Sequence, residues 1–190
     1  MNYRKGKRVM DVSLALVLLV VLSPVFFAVM FAINLEEQGT IFFRQQRAGQ
    51  NGQLFTIYKF RTMLPGAPNV GTNELTDSQH YITRIGRFLR QTSLDELPQL
   101  LNVLKGDMSF VGPRPVIPSE TTLLALRHAY GADRVRPGIT GLAQIRGRDE
   151  VPIGLKALYD ADYAFHCSLR LDLFILLSSV RTVLRREGVR

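Results

Sequence analysis

From Val12 to Ile33 no residue is charged, whereas the rest of the chain switches between apolar and polar positions on short periods. Roughly 22 such residues at about 1.5 Å each make about 33 Å of helix, enough to cross the core of a bilayer. No face of the run is polar, so a buried soluble helix explains it poorly. No small-residue cleavage pattern follows it, as a signal peptide would require. Ser23-Pro24 stands near the middle. Proline lacks an N–H and its ring clashes with the carbonyl four residues back, that of Val20, so a sharp kink is expected there. The Ser23 hydroxyl can satisfy a carbonyl freed by the break. Each arm is then too short to cross. Arg4, Lys5, Lys7 and Arg8 precede the run, and Arg44, Arg47, Lys59 and Arg61 follow it. Basic flanks stay on the cytoplasmic side, so residues 1–35 are expected to form a re-entrant helix that dips into one leaflet and returns. Residues 36–190 form the second unit.

Beyond that run, "TIFFRQQRAGQNGQLFTIYKFRTM" reads as two strands around an Asn51-Gly52 turn. In the second strand Tyr58, Phe60 and Thr62 share one face, and Lys59 and Arg61 share the other. Leu64–Ser78 is rich in turn residues and reads as a loop. Ile82, Ile85, Phe88 and Leu89 fall at helical spacing, with Gly86 weakening that helix. Leu97, Leu100, Leu101 and Leu104 form a second stripe that Gly106 ends, with Pro98 in the first turn. Ser93 and Glu96 fit a capping box, which places Asp95 and Glu96 at the positive end of a helix.

"SETTLLALRHAYG" predicts a helix capped by Ser119 and stopped by Gly131. Arg134 to Asp149 reads as a basic loop, followed by a helix over Ile153–His166. The last run, "LRLDLFILLSSVRTVLRRE", is a basic amphipathic helix. It suits a membrane surface, or a core face with snorkelling arginines. The fold class expected is mixed α/β (α+β). It comprises a mostly helical domain with a small β-hairpin, an N-terminal re-entrant helix and C-terminal interfacial helices.

Composition narrows the chemistry. A chain of 190 residues that is 46% hydrophobic can bury one sizeable core. A net charge of +8 calls for an anionic partner: nucleic acid, lipid headgroups or a phosphorylated substrate. A single cysteine, Cys167, excludes an internal disulfide, and His80, His128 and His166 are too scattered for a zinc site. The interleaved aromatics of a single-stranded nucleic-acid platform are missing, so no nucleic acid is expected.

Adjacent carboxylates are conspicuous in so basic a chain. Acids in a first helical turn are favourable by roughly 0.3–1 kcal/mol each, which alone would explain Asp95 and Glu96. Their company suggests more: Arg90 before them, then "VGPRP" (Val111–Pro115) and "RVRPGITGLAQIRGRDE" (Arg134–Glu150). Pro113 and Pro115 stiffen the backbone around Arg114, whose planar fork matches phosphate oxygens. Gly138, Gly141 and Gly147 would let backbone approach a ligand between Arg136, Arg146 and Arg148. No ATP-type P-loop or dinucleotide fingerprint is present. Acids and arginines together suit a diphosphate, provided a divalent ion reverses the repulsion between carboxylate and phosphate.

"KFRTM", "TSLDELPQLLNVLKGDMSFVGPRP" and "RPGITGLAQIRGRDE", in that order after a basic, Ser-Pro-interrupted apolar run, resemble the bacterial sugar transferase family. More narrowly, they resemble its small monotopic polyprenol-phosphate phosphoglycosyl transferases, over nearly the whole chain. The resemblance implies a catalytic domain on the cytoplasmic face of the bacterial inner membrane, with little beyond the catalytic core. It implies Mg²⁺-dependent transfer of a sugar phosphate from a UDP-sugar to undecaprenyl phosphate, a first membrane step in glycoconjugate synthesis. Inner-leaflet lipids would be the other partner.

On the matching positions, Asp95 would be a nucleophile that forms a phosphosugar intermediate and releases UMP, with Glu96 as its partner and Mg²⁺ held by Asp95. Lys59, Arg61, Arg90 and Arg114 would bind phosphate, and Arg136, Arg146 and Arg148 the nucleotide or acceptor phosphate. Arg146 departs from the family pattern, which often has a small polar residue there. An N-acetylated amino or diamino sugar is the expected cargo. Two other readings compete: single-step transfer with Asp95 as a metal ligand only, and a non-enzymatic membrane-anchored module that binds anions.

Overall fold

Where the kink was expected, two helices meet. The computed structural model describes residues 3–67, 78–147 and 151–184. In it α1 (Tyr3–Val21) and α2 (Ser23–Glu36) are separated by Leu22 alone and bent by 61°. Pro24 lies in the first turn of α2, where its missing N–H does no harm. The Ser23 hydroxyl donates to the Val20 carbonyl at 2.8 Å. Among the described residues no single helix is long and apolar enough to cross a membrane; the bent pair together passes by length and composition. Val17, Val20, Phe27 and Phe31 are more than half exposed, whereas Ala15, Val29 and Ile33 face the protein.

The hairpin forms as its turn residues require. β1 (Phe42–Ala48) and β2 (Leu54–Phe60) pair antiparallel, with Phe42 opposite Phe60 and Ala48 opposite Leu54. Asn51 and Gly52 take positive φ, 54° and 74°, as an Asn-Gly turn allows. Phe60 is buried against the rings of Phe26 and Phe42, in a cluster with Val29, Ile33 and Leu89. The hairpin is thereby fixed to α2. The strand ends at Phe60, so Arg61 and Thr62 lie beyond it and are buried. Only the ends of the expected loop Leu64–Ser78 fall within the described residues.

The helix expected from Ile82, Ile85, Phe88 and Leu89 is two pieces, α3 (Ser78–Tyr81) and α4 (Arg84–Thr92), divided where Ile82 bridges to Met63. The Thr83 hydroxyl caps α4 by accepting from the Gly86 N–H at 2.9 Å. Gly86 has a reason beyond propensity. A Cβ there would stand 2.1 Å from the Thr62 carbonyl oxygen, so the helix can approach the chain after β2 only at glycine.

α5 (Gln99–Lys105) ends at Gly106, as expected, with φ of 97°. The capping box does not form. Ser93 takes a left-handed conformation, φ 57°, as the C-cap of α4, and Asp95 and Glu96 sit in a 3-10 turn over Leu94–Glu96. With Pro98 at the cap of α5, both acids precede that helix instead of opening it.

The stretch read as a basic loop contains β4 (Gly138–Thr140) and α7 (Leu142–Ile145). β4 runs parallel to β3 (Ser109–Val111). Added Cβ atoms at Gly112, Gly138 and Gly141 would lie 2.2 Å from the Arg136 carbonyl oxygen, 2.1 Å from the Gly112 nitrogen and 2.2 Å from the Gly112 carbonyl oxygen. Gly138 and Gly141 therefore admit one strand to another, not backbone to a ligand.

α6 (Thr121–Ala129) starts after Glu120, without the Ser119 cap, and α8 (Ile153–His166) has the expected bounds. α9 (Leu169–Leu184) buries Ile175 and Asp172 and leaves Leu173, Phe174, Leu177 and Val180 at least half exposed. Asp172 accepts from the Tyr3 hydroxyl at 2.6 Å, the Tyr163 hydroxyl at 2.8 Å and Lys7. This buried acid ties the final helix to α1 and α8. One face of α9 thus packs inward, and the opposite face is apolar and open.

Candidate active site

The hairpin, the 3-10 turn and the Pro-Arg-Pro segment converge on the adjacent carboxylates. Lys59, near the end of β2, donates to Glu96 at 2.7 Å, and Arg114 donates to the same Oε1 at 2.8 Å. Lys59 Nζ stands 3.7 Å from Asp95 Oδ2, beyond hydrogen-bond range. Arg90 approaches from α4, where its Nε donates to the Thr62 hydroxyl at 3.0 Å. Five of the residues marked in the sequence, Lys59, Arg90, Asp95, Glu96 and Arg114, therefore meet in one cluster.

The two acids are not equivalent. Burial opposes ionisation of Glu96, but Arg114 and Lys59 outweigh it and hold its carboxyl well below the usual range. Burial pushes Asp95 up; Lys59 resists that shift, Glu96 reinforces it, and Arg114 and Arg90 resist it. Glu96 is a tied counter-ion that orients two cations. Asp95, 8% exposed, keeps acceptor capacity for an incoming electrophile or ion.

Among the described residues no three His, Cys, Asp or Glu side chains come together. Those residues therefore offer a metal ion one or two carboxylates at a time. That suits magnesium, which takes one or two carboxylates and completes its shell with water and phosphate oxygens. Asp95 is the residue that could hold it.

Other marked residues lie elsewhere. Arg61 donates to the Glu37 carbonyl, pinning the end of α2. Arg136 donates to the Gly106 carbonyl at 2.8 Å, and Arg8 to the Val103 and Leu104 carbonyls at 2.5 and 3.0 Å. Both satisfy the open C-terminus of α5, a structural task. Arg146 is exposed at the end of α7, and Arg148 lies outside the described residues.

Two supports were not singled out in the sequence. Arg127 on α6 forms a buried ion pair with Asp160 on α8, N···O 2.6 Å, and donates to the Arg114 carbonyl at 3.0 Å. It holds the Pro-Arg-Pro segment from behind. The signal was available: Ala157, Asp160, Ala161 and Ala164 form one buried stripe, and an acid on such a stripe demands a partner. Asn102, fully buried, accepts from the Tyr58 N–H at 3.1 Å and donates to the Thr56 carbonyl at 2.7 Å. It acts as a strand partner for β2 and fixes α5 beside Lys59. A hollow of about 210 Å³ between the hairpin turn and α6 is lined by Arg127 and His128 but contains neither carboxylate.

A tied glutamate and a buried aspartate thus stand among cations, beside a hairpin packed against a bent apolar helix pair. The model of the bacterial sugar transferase family matches residues 2–186, and the chain belongs to that family. An uncharacterized sugar transferase of Bacillus subtilis, EpsL, is 43% identical over 97% of this chain and 90% of its own. A UDP-glucose:undecaprenyl-phosphate glucose-1-phosphate transferase of Caulobacter vibrioides is 42% identical over 96% of this chain and 71% of its own. A UDP-N-acetylgalactosamine-undecaprenyl-phosphate N-acetylgalactosaminephosphotransferase of Aeromonas hydrophila is 37% identical over 97% of this chain but 45% of its own.

Proposed function

We propose that this enzyme transfers a sugar 1-phosphate from a UDP-sugar to undecaprenyl phosphate through a covalent phosphosugar on Asp95. The observation that carries the reading is the asymmetry of the two acids: Glu96 is hydrogen-bonded by both Lys59 and Arg114, while Asp95 meets Lys59 only as a longer ion pair, N···O 3.7 Å. The names of the Caulobacter and Aeromonas relatives support the donor and acceptor classes. An Asp95 oxygen attacks the β-phosphorus, the bond from that phosphorus to the bridging oxygen breaks, and UMP leaves. An oxygen of undecaprenyl phosphate then attacks the same phosphorus, giving the lipid diphosphosugar and restoring the carboxylate. Lys59, Arg90 and Arg114 stabilise phosphate charge through both steps. Asp95 would also hold magnesium, which when bound supplies charge neutralisation for the donor's phosphates.

Those relatives differ in their sugars, glucose in one and N-acetylgalactosamine in the other, so the shared core does not set the cargo. An N-acetylated amino or diamino sugar remains the reading for this chain, and Arg146 is its point of departure. A panel of UDP-sugars with undecaprenyl phosphate, read by UMP release, tests both claims. UMP should form with an N-acetylated donor. UMP from UDP-glucose and from no other donor would overturn the cargo, and no UMP from any donor in the panel would overturn the reaction. Chelation with EDTA should abolish turnover and added Mg²⁺ should restore it; full activity in EDTA would remove the metal from the account.

Residues 1–35 would lie re-entrant in the inner leaflet of the bacterial inner membrane, with residues 36–190 on its cytoplasmic face. The 61° bend and the exposed apolar face of α9 support that placement. It also suits the substrates, since the donor is soluble and the acceptor's phosphate lies among headgroups. With Cys167 replaced by serine, single cysteines at Asn2 and at Asn51 should both be shielded from an impermeant thiol reagent in intact cells. Labelling of one but not the other would mean that the helix pair crosses.

A further inference from the structure

One cation near Glu96 was noted in the sequence only as part of a basic flank. Arg47 lies opposite Phe55, Gln45 opposite Ile57 and Phe43 opposite Lys59. Residues two apart on a strand, and residues directly opposite, share a face, so Arg47, Gln45 and Lys59 project from the same side of the hairpin. The Arg47 guanidinium donates to Gln45 Oε1, yet its Nε is buried with no partner. Burial lowers its pKa, the neighbouring Arg114 lowers it further, and Glu120 and Glu96 oppose the shift. Glu96 is already bonded to Lys59 and Arg114. Two guanidinium groups thus share a neighbourhood with a committed carboxylate, and one of them holds a buried N–H without an acceptor. Such a donor is costly to keep unless something else accepts from it.

The geometry points to Arg47 and Arg114 as a paired seat for a phosphate of the nucleotide donor, an inference that rests on the site being a nucleotide-sugar transferase. Direction along the hairpin separates donor from acceptor. Phe42 begins β1 against Phe60 and the α2 cluster, and Arg47 is five residues on, about 17 Å at 3.4 Å per residue. There the chain turns back, with the Ala48 N–H donating to the Val116 carbonyl at 2.9 Å. Arg90 sits at the other end, on α4, whose Ile85 and Leu89 pack with α2. A lipid phosphate reaches the carboxylates from the apolar helix pair, on the Arg90 side. A soluble nucleotide reaches them from the Arg47 side. With the β-phosphorus facing Asp95, Arg47 takes the α-phosphate, the group that departs in UMP.

Equilibrium binding of UMP and UDP to the purified full chain in detergent tests this, with wild type, Arg47→Ala, Arg47→Lys and Asp95→Asn compared. Arg47→Ala should weaken both nucleotides by about tenfold or more, because a charge-assisted contact to phosphate is lost. Arg47→Lys should recover part of that loss, since it restores the charge without the fork. Asp95→Asn should still bind UMP. In turnover assays Arg47→Ala should raise the donor KM and leave the acceptor KM unchanged, with an unaltered thermal midpoint as the control for folding. Wild-type affinity for UMP in Arg47→Ala, or a defect confined to the acceptor KM, would overturn the seat while leaving the transferase reading intact. Failure of the wild type to bind either nucleotide would overturn both.

Discussion

Asp95→Asn should lower turnover by at least about 10³-fold and stop UMP release, with the protein still folded. The substitution keeps the shape of the side chain and removes the oxygen nucleophile, because an amide does not form the acyl phosphate. Folding should survive, since burial already pushes the Asp95 carboxyl towards its neutral form and the amide is neutral at every pH. Lys59 keeps its bond to Glu96 in the variant. The check is a paired measurement of UMP release and thermal unfolding on the same preparation. A variant that unfolds with wild-type cooperativity and turns over at the wild-type rate would remove Asp95 from the chemistry.

Glu96→Gln should be damaging too, though less so and by a different route. Glu96 is the shared acceptor for Lys59 and Arg114, so neutralising it leaves two cations facing each other around a neutral amide. Lys59 can then close on Asp95, now its only carboxylate neighbour in the cluster, and mask the attacking oxygen. Arg114 loses its bond to Glu96, while Arg127 still holds its carbonyl. A misplacement near 1 Å in such a site costs roughly 10²-fold, and that is the expected fall in kcat/KM. Steady-state kinetics with donor varied and acceptor saturating should show it, and an unchanged kcat/KM would mean that Glu96 does not orient the cations.

Much of this site was legible because its chemistry is local in sequence. Asp95 and Glu96 are adjacent, and the prolines around Arg114 mark a presented side chain without reference to the fold. Lys59 was legible through strand alternation, and Ser23-Pro24 through the covalent limits of proline. The misreadings come from local backbone conformation in one case and from contacts distant in sequence in the others. The acids look like helix openers only until Ser93 is known to turn left-handed, a conformation imposed by the junction of α4 with the 3-10 turn. Gly138 and Gly141 look like ligand glycines until the parallel pairing of β3 with β4 supplies the backbone they approach. Strands of three residues carry too little alternation to be seen. Arg61, Arg8 and Arg136 are indistinguishable by type from Arg90 and Arg114. Only the carbonyls at the ends of α2 and α5 reveal that they serve the fold.

If Asp95 is the nucleophile, a phosphoryl group rests on it between donor and acceptor. Intact-protein and peptide mass spectrometry of the enzyme given UDP-sugar and Mg²⁺, with no undecaprenyl phosphate, measures it most directly. One equivalent of UMP should be released, with a sugar-phosphate adduct on the peptide containing Asp95 that disappears when the acceptor is added. An unmodified peptide, with UMP formed only once undecaprenyl phosphate is present, would mean direct transfer and would contradict the nucleophile role of Asp95.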